Sequence, residues 1–347
     1  MSPSRQSPDD SFFSSEENTM SCSRRQFVQQ AAGGLLTGGV LARAGLATTD
    51  EPTTAFPIVD THQHLWDLEV VRPPWLKGSE LLNRRFAMPE YREATRGLNV
   101  VKAVYMEVAV DPRDHVTEAE HVIGLCRSKQ HPTVAAVIGG RPASDEFGDY
   151  LARFKGNPYV KGVRQVLHGA TPAGHCVSDE YVRGIRLLGD AGLSFDLCLR
   201  AADLKDGAKL TELCPDTRFI VDHCGNADPK AFAARPDGGK PSHDPAAWKR
   251  DMDALAKRDN VICKISGIVA SAPKDWTAAD LAPIVNHCLD AFGPDRVVFG
   301  GDWPVCLKGA TYRQWVLALR EIVASRPAAE QRKLWHDNAV RFYGLEA

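Results

Sequence analysis

The chain has 347 residues, 44% of them hydrophobic and 25% charged, an ordinary globular composition able to bury a large core without a disulfide framework. Its formal net charge of −2 argues against a partner bound mainly by charge, such as nucleic acid or an anionic membrane. There is no internal repeat, and outside the amino-terminal region no apolar run approaches the roughly 18 residues of a membrane span.

Residues 1–20 are rich in Ser, Asp and Glu, lack periodicity and read as disordered. Ser23-Arg24-Arg25-Gln26-Phe27-Val28 follows and resembles the twin-arginine (Tat) export signature. An apolar, Gly/Ala-rich stretch then runs from Ala31 to Ala47, with small residues at Ala42, Ala44 and Ala47 suited to cleavage. We therefore expect a signal peptide within residues 1–49, handled by the Tat machinery, and an exported domain over residues 55–347. A chance arginine pair before an amphipathic helix is the alternative, and Met20 is a second candidate start. None of the nine cysteines forms a Cys-x-x-Cys pair. Several, such as Cys198 and Cys263, sit in apolar strand-like runs and read as buried small hydrophobes.

From residue 57 onward, apolar strand-like runs alternate with longer helical stretches. The runs are Pro57–His62, Val100–Val108, Thr133–Ile138, Val160–Val166, Leu193–Leu199, Arg218–His223, Asn260–Ser266 and Arg296–Gly300. Helical stretches include Glu118–Gln130, Ser178–Ala191, Pro245–Lys257 and Ala279–Phe292, with Tyr312–Ser325 and Ala328–Tyr343 at the end. Eight β-then-α units predict a closed α/β TIM barrel, (β/α)₈. A doubly wound sheet is the alternative, but no Gly-x-Gly-x-x-Gly follows the first strand. Two long segments, 65–99 with a helix at Pro89–Gly97, and Asp228–Asp244, read as elaborated βα loops.

What ends each strand carries the functional signal. Asp60, His62 and His64 follow an i, i+2, i+4 spacing that shares one face of an extended chain. Glu107 ends the second run; Lys161, Arg164 and His168 mark the fourth; Asp196 lies on the fifth. Asp222 and His223 end the sixth, Lys264 and Ser266 mark the seventh, and Asp302 and Trp303 follow the eighth. Singly, Asp302 reads equally as a helix cap and His223 as a core histidine. Jointly, titratable groups at successive strand ends point to one site, because a barrel interior is otherwise filled by apolar side chains.

The run Val59-Asp60-Thr61-His62-Gln63-His64-Leu65-Trp66-Asp67 resembles the opening motif of the amidohydrolase-2 branch of the amidohydrolase superfamily. Phe299-Gly300-Gly301-Asp302-Trp303-Pro304-Val305 resembles its closing motif, and Lys264-Ile265-Ser266-Gly267 and His223 match as well. The likeness covers residues 57–345 and is narrowest to the sugar-lactonase (L-fuconolactonase-like) subgroup. The family usually carries serine where this chain has Gly301.

The resemblance implies a hydrolase of a cyclic ester, most simply a sugar (aldono) lactone, with Asp302 as the base that activates water. His62, His64 and His223 would polarise the carbonyl, directly or as ligands of a divalent metal, Zn²⁺ foremost. Glu107 and Asp302 would complete that metal site. Arg164 and Lys264 would bind substrate, or else pair internally with Asp196 or Glu107. His168 faces the site or solvent, and Trp66, Trp75 and Trp303 read as walls for a sugar ring or as packing. A metal-dependent decarboxylase of the same branch and a non-catalytic sugar-binding barrel remain open, as does a homo-oligomer.

Overall fold

The computed structural model describes residues 56–232 and 239–346. The twin-arginine segment with Arg24 and Arg25, and the rest of the expected signal peptide, lie outside the described residues. Eight strands run in order: β1 Ile58–Gln63, β2 Val100–Met106, β3 Thr133–Gly139, β4 Val160–Leu167, β5 Ser194–Leu199, β6 Arg218–Val221, β7 Val261–Ile265 and β8 Val297–Phe299. Each pairs in parallel with the next, in the sequence order β1 to β8.

The barrel closes with chain that lies beyond the last strand. β8 is only three residues long. The Asp302 amide nevertheless donates to the His62 carbonyl at 2.8 Å, and the His64 amide to the Trp303 carbonyl at 2.8 Å. A parallel bridge joins Gln63 to Trp303. The expected first and last motifs are thus hydrogen-bonded neighbours at the carboxyl ends of the strands.

Strand alternation sets the interior in layers. Val104 and Met106 on β2, Ala135 and Val137 on β3, Ile220 on β6, Ile262 on β7 and Val298 on β8 form one buried apolar cluster inside the barrel. Tyr343 and Leu345 from the carboxyl-terminal segment join that cluster. One residue pair further along the strands, the inward positions turn polar: Asp196, Asp222 and Lys264 are fully buried and Arg164 nearly so. The outward residues, such as Phe195, Leu197, Phe219 and Phe299, pack under the surrounding helices in the larger cluster.

Two expected strands end two residues early. β2 stops at Met106, so Glu107 stands just past the ladder, and β6 stops at Val221. After Asp222 the backbone turns left-handed, with φ of 53° at His223 and 52° at Cys224. That conformation breaks strand pairing and aims His223 across the barrel mouth. The helices Asp179–Asp190, Pro245–Ala256, Ala278–Phe292 and Tyr312–Val323 lie where the pattern placed them. The expected final helix is broken into Ala328–Arg332, a π turn Lys333–Asp337 and Asn338–Tyr343. The eight cysteines among the described residues are all buried and unbridged.

Candidate active site

The site is built on a fully buried carboxylate, Asp60. Its Oδ1 accepts from the Gly301 amide at 2.7 Å and the His62 amide at 3.0 Å. Its Oδ2 accepts from the hydroxyls of Tyr91 at 2.8 Å and Tyr312 at 3.0 Å. Burial raises the Asp60 carboxyl above its ordinary range, and the four donors only partly offset that. This one side chain fixes β1 to the chain after β8 and therefore fixes His62 relative to Asp302.

Asp302 itself has φ of 53°. A left-handed backbone is uncommon for a residue with a Cβ, though aspartate tolerates it better than most, and such strain clusters at functional sites. Its Oδ1 lies 3.4 Å from His64 Nε2 and 3.8 Å from His62 Nε2. His64 Nδ1 is 2.9 Å from the Met106 carbonyl, which can only accept, so Nδ1 carries a proton and Nε2 is the ring nitrogen turned toward Asp302. His223 completes the cluster, its ring centroid 4.3 Å from that of His62 and its Nδ1 2.9 Å from Ser266 Oγ. Gly267 permits this approach: a Cβ there would stand 2.2 Å from His223 Nδ1.

Beneath the histidines lies an ion network without water-facing members. Arg164 donates Nε to Glu107 Oε1 at 2.6 Å, Nη2 to the Glu107 carbonyl at 2.6 Å and Nη1 to Asp222 Oδ2 at 3.2 Å. Lys264 Nζ sits 2.7 Å from Asp196 Oδ2 and 2.9 Å from Asp222 Oδ1. Burial alone would raise the Asp222 carboxyl, but Lys264 and then His62 hold it well below its usual range. Asp196, held by Lys264 alone, is raised by burial. Both cations approach His62, Lys264 Nζ 3.2 Å from Nδ1 and Arg164 Nη1 3.2 Å from Nε2, and the neutral ring can accept from one of them. Burial, followed by the Lys264 charge, keeps that imidazole neutral.

The structure thus brings His62, His64, His223 and Asp302 together and seats Arg164 and Lys264 below them. Glu107 is not brought to the donor cluster: Oε1 is taken by Arg164 and Oε2 by the Ala109 amide at 2.7 Å. Asp222 does lie among the histidines, close to His62 and His223, with its two oxygens facing Lys264 and Arg164. His168 follows β4 and is exposed at the rim, where burial of its inner edge and then the Arg164 charge lower its pKa. Trp66 and Trp303 are buried beneath the first loop. Trp66 donates to the Arg84 carbonyl, and Trp303 packs edge-on against Phe86 and Tyr91. Trp75 is 41% exposed and is the tryptophan of the three that presents surface at the mouth.

The donors fit a divalent ion. One ligand atom each from His62, His64 and Asp302 lie within 4.8 Å of one another, and so do those of His62, Asp222 and His223. Two imidazole nitrogens with a carboxylate oxygen suit a borderline ion such as Zn²⁺. The Met106 carbonyl behind His64 is the outer contact that orients a ligating imidazole.

Gly301 has a structural reason. A Cβ there would stand 2.3 Å from Tyr312 Cε2 and 2.7 Å from Asp60 Oδ2, so the Tyr312 ring fills the space a serine would use. We expect Gly301→Ala to destabilise the fold by about 1–3 kcal/mol through overpacking and to displace Asp302. Urea denaturation and turnover measured together check this; a variant matching wild type in both would refute the tight contact.

Glu118, buried behind β2, accepts from the Val108 amide at 2.7 Å and the Tyr105 hydroxyl at 2.9 Å. Burial and then the Glu107 charge push it up to about 8. The folded chain therefore keeps a proton that the unfolded chain releases near pH ~4.3, and stability falls as pH rises from there towards 8. Glu118→Gln should flatten that fall. Denaturation midpoints at pH 5 and pH 8 test it, and equal slopes in the two proteins would sink the assignment.

Similarity to known proteins agrees with this geometry. The amidohydrolase family profile matches residues 59–345. An L-fucono-1,5-lactonase of Burkholderia multivorans is 29% identical over 297 residues, spanning 83% of this chain and 96% of that protein. An L-rhamnono-gamma-lactonase of Scheffersomyces stipitis is 25% identical over 344 residues, spanning 84% of this chain and 99% of that protein. The crystal structure of a Burkholderia multivorans amidohydrolase with bound zinc superposes with a TM-score of 0.71 at 26% identity, covering 84% of this chain and all of that one. The chain is a TIM-barrel hydrolase that belongs to the amidohydrolase family.

Proposed function

We propose that the chain hydrolyses an uncharged sugar lactone, with Asp302 as the general base. The observation that carries this reading is the pairing beneath the site. Arg164 and Lys264 are already neutralised by Glu107, Asp222 and Asp196, so neither buried cation is left to grip a substrate carboxylate. That favours a neutral lactone over the acid substrate of a decarboxylase. The lactonase names of two relatives support the same substrate class.

Asp302 takes a proton from water as the oxygen attacks the lactone carbonyl, and the carbonyl π pair moves onto its oxygen. His223 is lowered below its usual pKa by burial, so its imidazole is neutral. In the tautomer whose Nδ1 accepts from Ser266 Oγ, its Nε2–H donates to the developing oxyanion. When the carbonyl re-forms, the ring C–O bond breaks and the alkoxide recovers the proton held by Asp302. The product is the open hydroxy acid. A divalent ion held by His62, His64 and Asp302 would supply Lewis-acid polarisation and a more acidic water.

Asp302→Asn should lower lactone turnover by at least about 10²-fold while leaving the fold intact. A pH-indicator screen of aldonolactones, run with and without chelator beside metal analysis, reads this. Unchanged turnover in the variant would remove Asp302 as the base. Release of carbon dioxide without lactone opening would replace the reaction altogether, and a rate indifferent to chelator would remove the metal.

We also propose that residues 1–49 direct export through the Tat route, on the strength of Arg24-Arg25 and the apolar stretch after them. Replacing both arginines by lysine should leave the protein in the cytoplasmic fraction. Undiminished export of that variant would refute the route.

A further inference from the structure

The opposite end of the barrel carries a cavity of about 850 Å³. It is lined by residues at the start of β4, β5 and β6, among them Val160, Leu193 and Arg218, and by Phe342, Tyr343 and Gly344. These are the amino ends of the strands, whereas Asp302, His64 and His223 stand at the carboxyl ends. Nothing in the proposed lactone chemistry uses this cavity. Its volume is in the range that takes a small organic ligand.

Its lining has two characters. Leu151, Phe154, Leu193 and Phe342 give it apolar walls, and Leu187 leaves 38% of its surface open at the edge. Four basic side chains, Lys155, Lys161, Arg218 and Arg341, face one carboxylate, Asp190. On a chain whose net charge is −2, this is a local excess of positive charge. Arg341 already pairs with Asp295. Lys161 and Arg218 have no salt-bridge carboxylate among the described residues; each holds only backbone carbonyls. Lys161 Nζ donates to Gly344 at 3.3 Å. Arg218 donates to Phe342 and, at 3.0 Å, to Gly192. The Arg218 guanidinium also lies over the Phe342 ring.

We propose that this cavity binds a small organic anion with an apolar body, a fatty or aryl carboxylate. Its carboxylate sits between Lys161 and Arg218, and its body lies on Leu151, Leu193 and Phe342. The desolvation of both cations agrees with this. Lys161 is lowered by burial and then by the Arg218 charge, against a smaller opposing pull from Glu346, and Arg218 is lowered by burial. An anion between them would relieve that repulsion, and the lysine retains donors that the Gly344 carbonyl does not use.

The test is calorimetric titration of the full-length protein with octanoate and with 2-naphthoate, each beside its neutral amide. We expect saturable binding at one site, at least about tenfold weaker for the amides. Lys161→Glu should weaken carboxylate binding by at least about tenfold. Lys155→Glu, a change at an exposed position that the fold tolerates, should weaken it less. Asp302→Asn should leave it unchanged. Octanoate binding without naphthoate binding would identify the body as an alkyl chain, and the reverse would identify an aryl group. No saturation, equal binding of the amides, insensitivity to both lysine variants, or loss in Asp302→Asn would overturn the proposal. A concentration-dependent dimer that excludes both probes would assign the face to a second copy of the chain.

Discussion

Five ionised or ionisable side chains sit inside the barrel around one neutral imidazole, and the rest of the site is arranged to keep them paired. Arg164 and Lys264 are the cations; Glu107, Asp196 and Asp222 are the carboxylates. All are buried, so an unpaired member would face a desolvation cost of several kcal/mol. Asp222 answers both cations at once, and His62 lies within 3.2 Å of each. His62 therefore cannot hold a proton on both nitrogens, and it is available as an acceptor or a ligand. The electrostatic state of the upper layer, where Asp302 faces His64, is set by this lower layer.

The same network is held in register by backbone pairing. β4 and β5 pair without interruption from Gly162 against Ser194 to Leu167 against Leu199, which places Arg164 opposite Asp196. β7 and β8 pair Lys264 with Val298, so that the ammonium stands above an apolar layer rather than within it. A shift of one residue in either ladder would turn a charged side chain outward and an apolar one inward. Asp60 performs the corresponding task at the seam, where β8 is too short to close the barrel unaided. Its four donors come from β1, from the first loop, from Gly301 and from the helix that begins at Tyr312.

Much of this was legible in the sequence because it is periodic. Alternation of apolar runs and helical stretches placed all eight strands within about two residues, and donors from several polar strand ends do converge at one mouth. What alternation cannot give is the destination of a long side chain. Glu107 follows β2 directly, as expected of a ligand, yet Arg164 reaches across β3 from β4 and captures it. Asp222 and Asp196 were visible as strand-end carboxylates, but their partners depend on register between strands far apart in the chain. The tryptophans were ambiguous for a similar reason. Trp66 and Trp303 are buried by the fold-back of the first loop, where Trp66 pairs with Phe86, and no local pattern announces that contact. The helix Leu204–Leu213 carries a glycine, Gly207, in its interior. Gly207 is there because a Cβ would meet Leu199 at 2.6 Å.

The substitution at Gly301 shows how local sequence and distant packing are coupled here. A hydroxyl next to Asp302 could come from a serine at that position, but Tyr312 brings its own hydroxyl to Asp60 from outside the barrel, and the Tyr312 ring needs the volume. The two solutions exclude each other sterically, because the ring stands where a Cβ would go. The aromatic solution also recruits Tyr91, whose hydroxyl reaches the same Asp60 oxygen and whose ring packs against Trp303. Asp302 is thereby bracketed: the Asp60 hydrogen bonds hold the residue before it, and the Tyr91 and Phe86 rings hold the residue after it. A left-handed aspartate is costly on its own, and rigid neighbours on both sides are what let the fold sustain it.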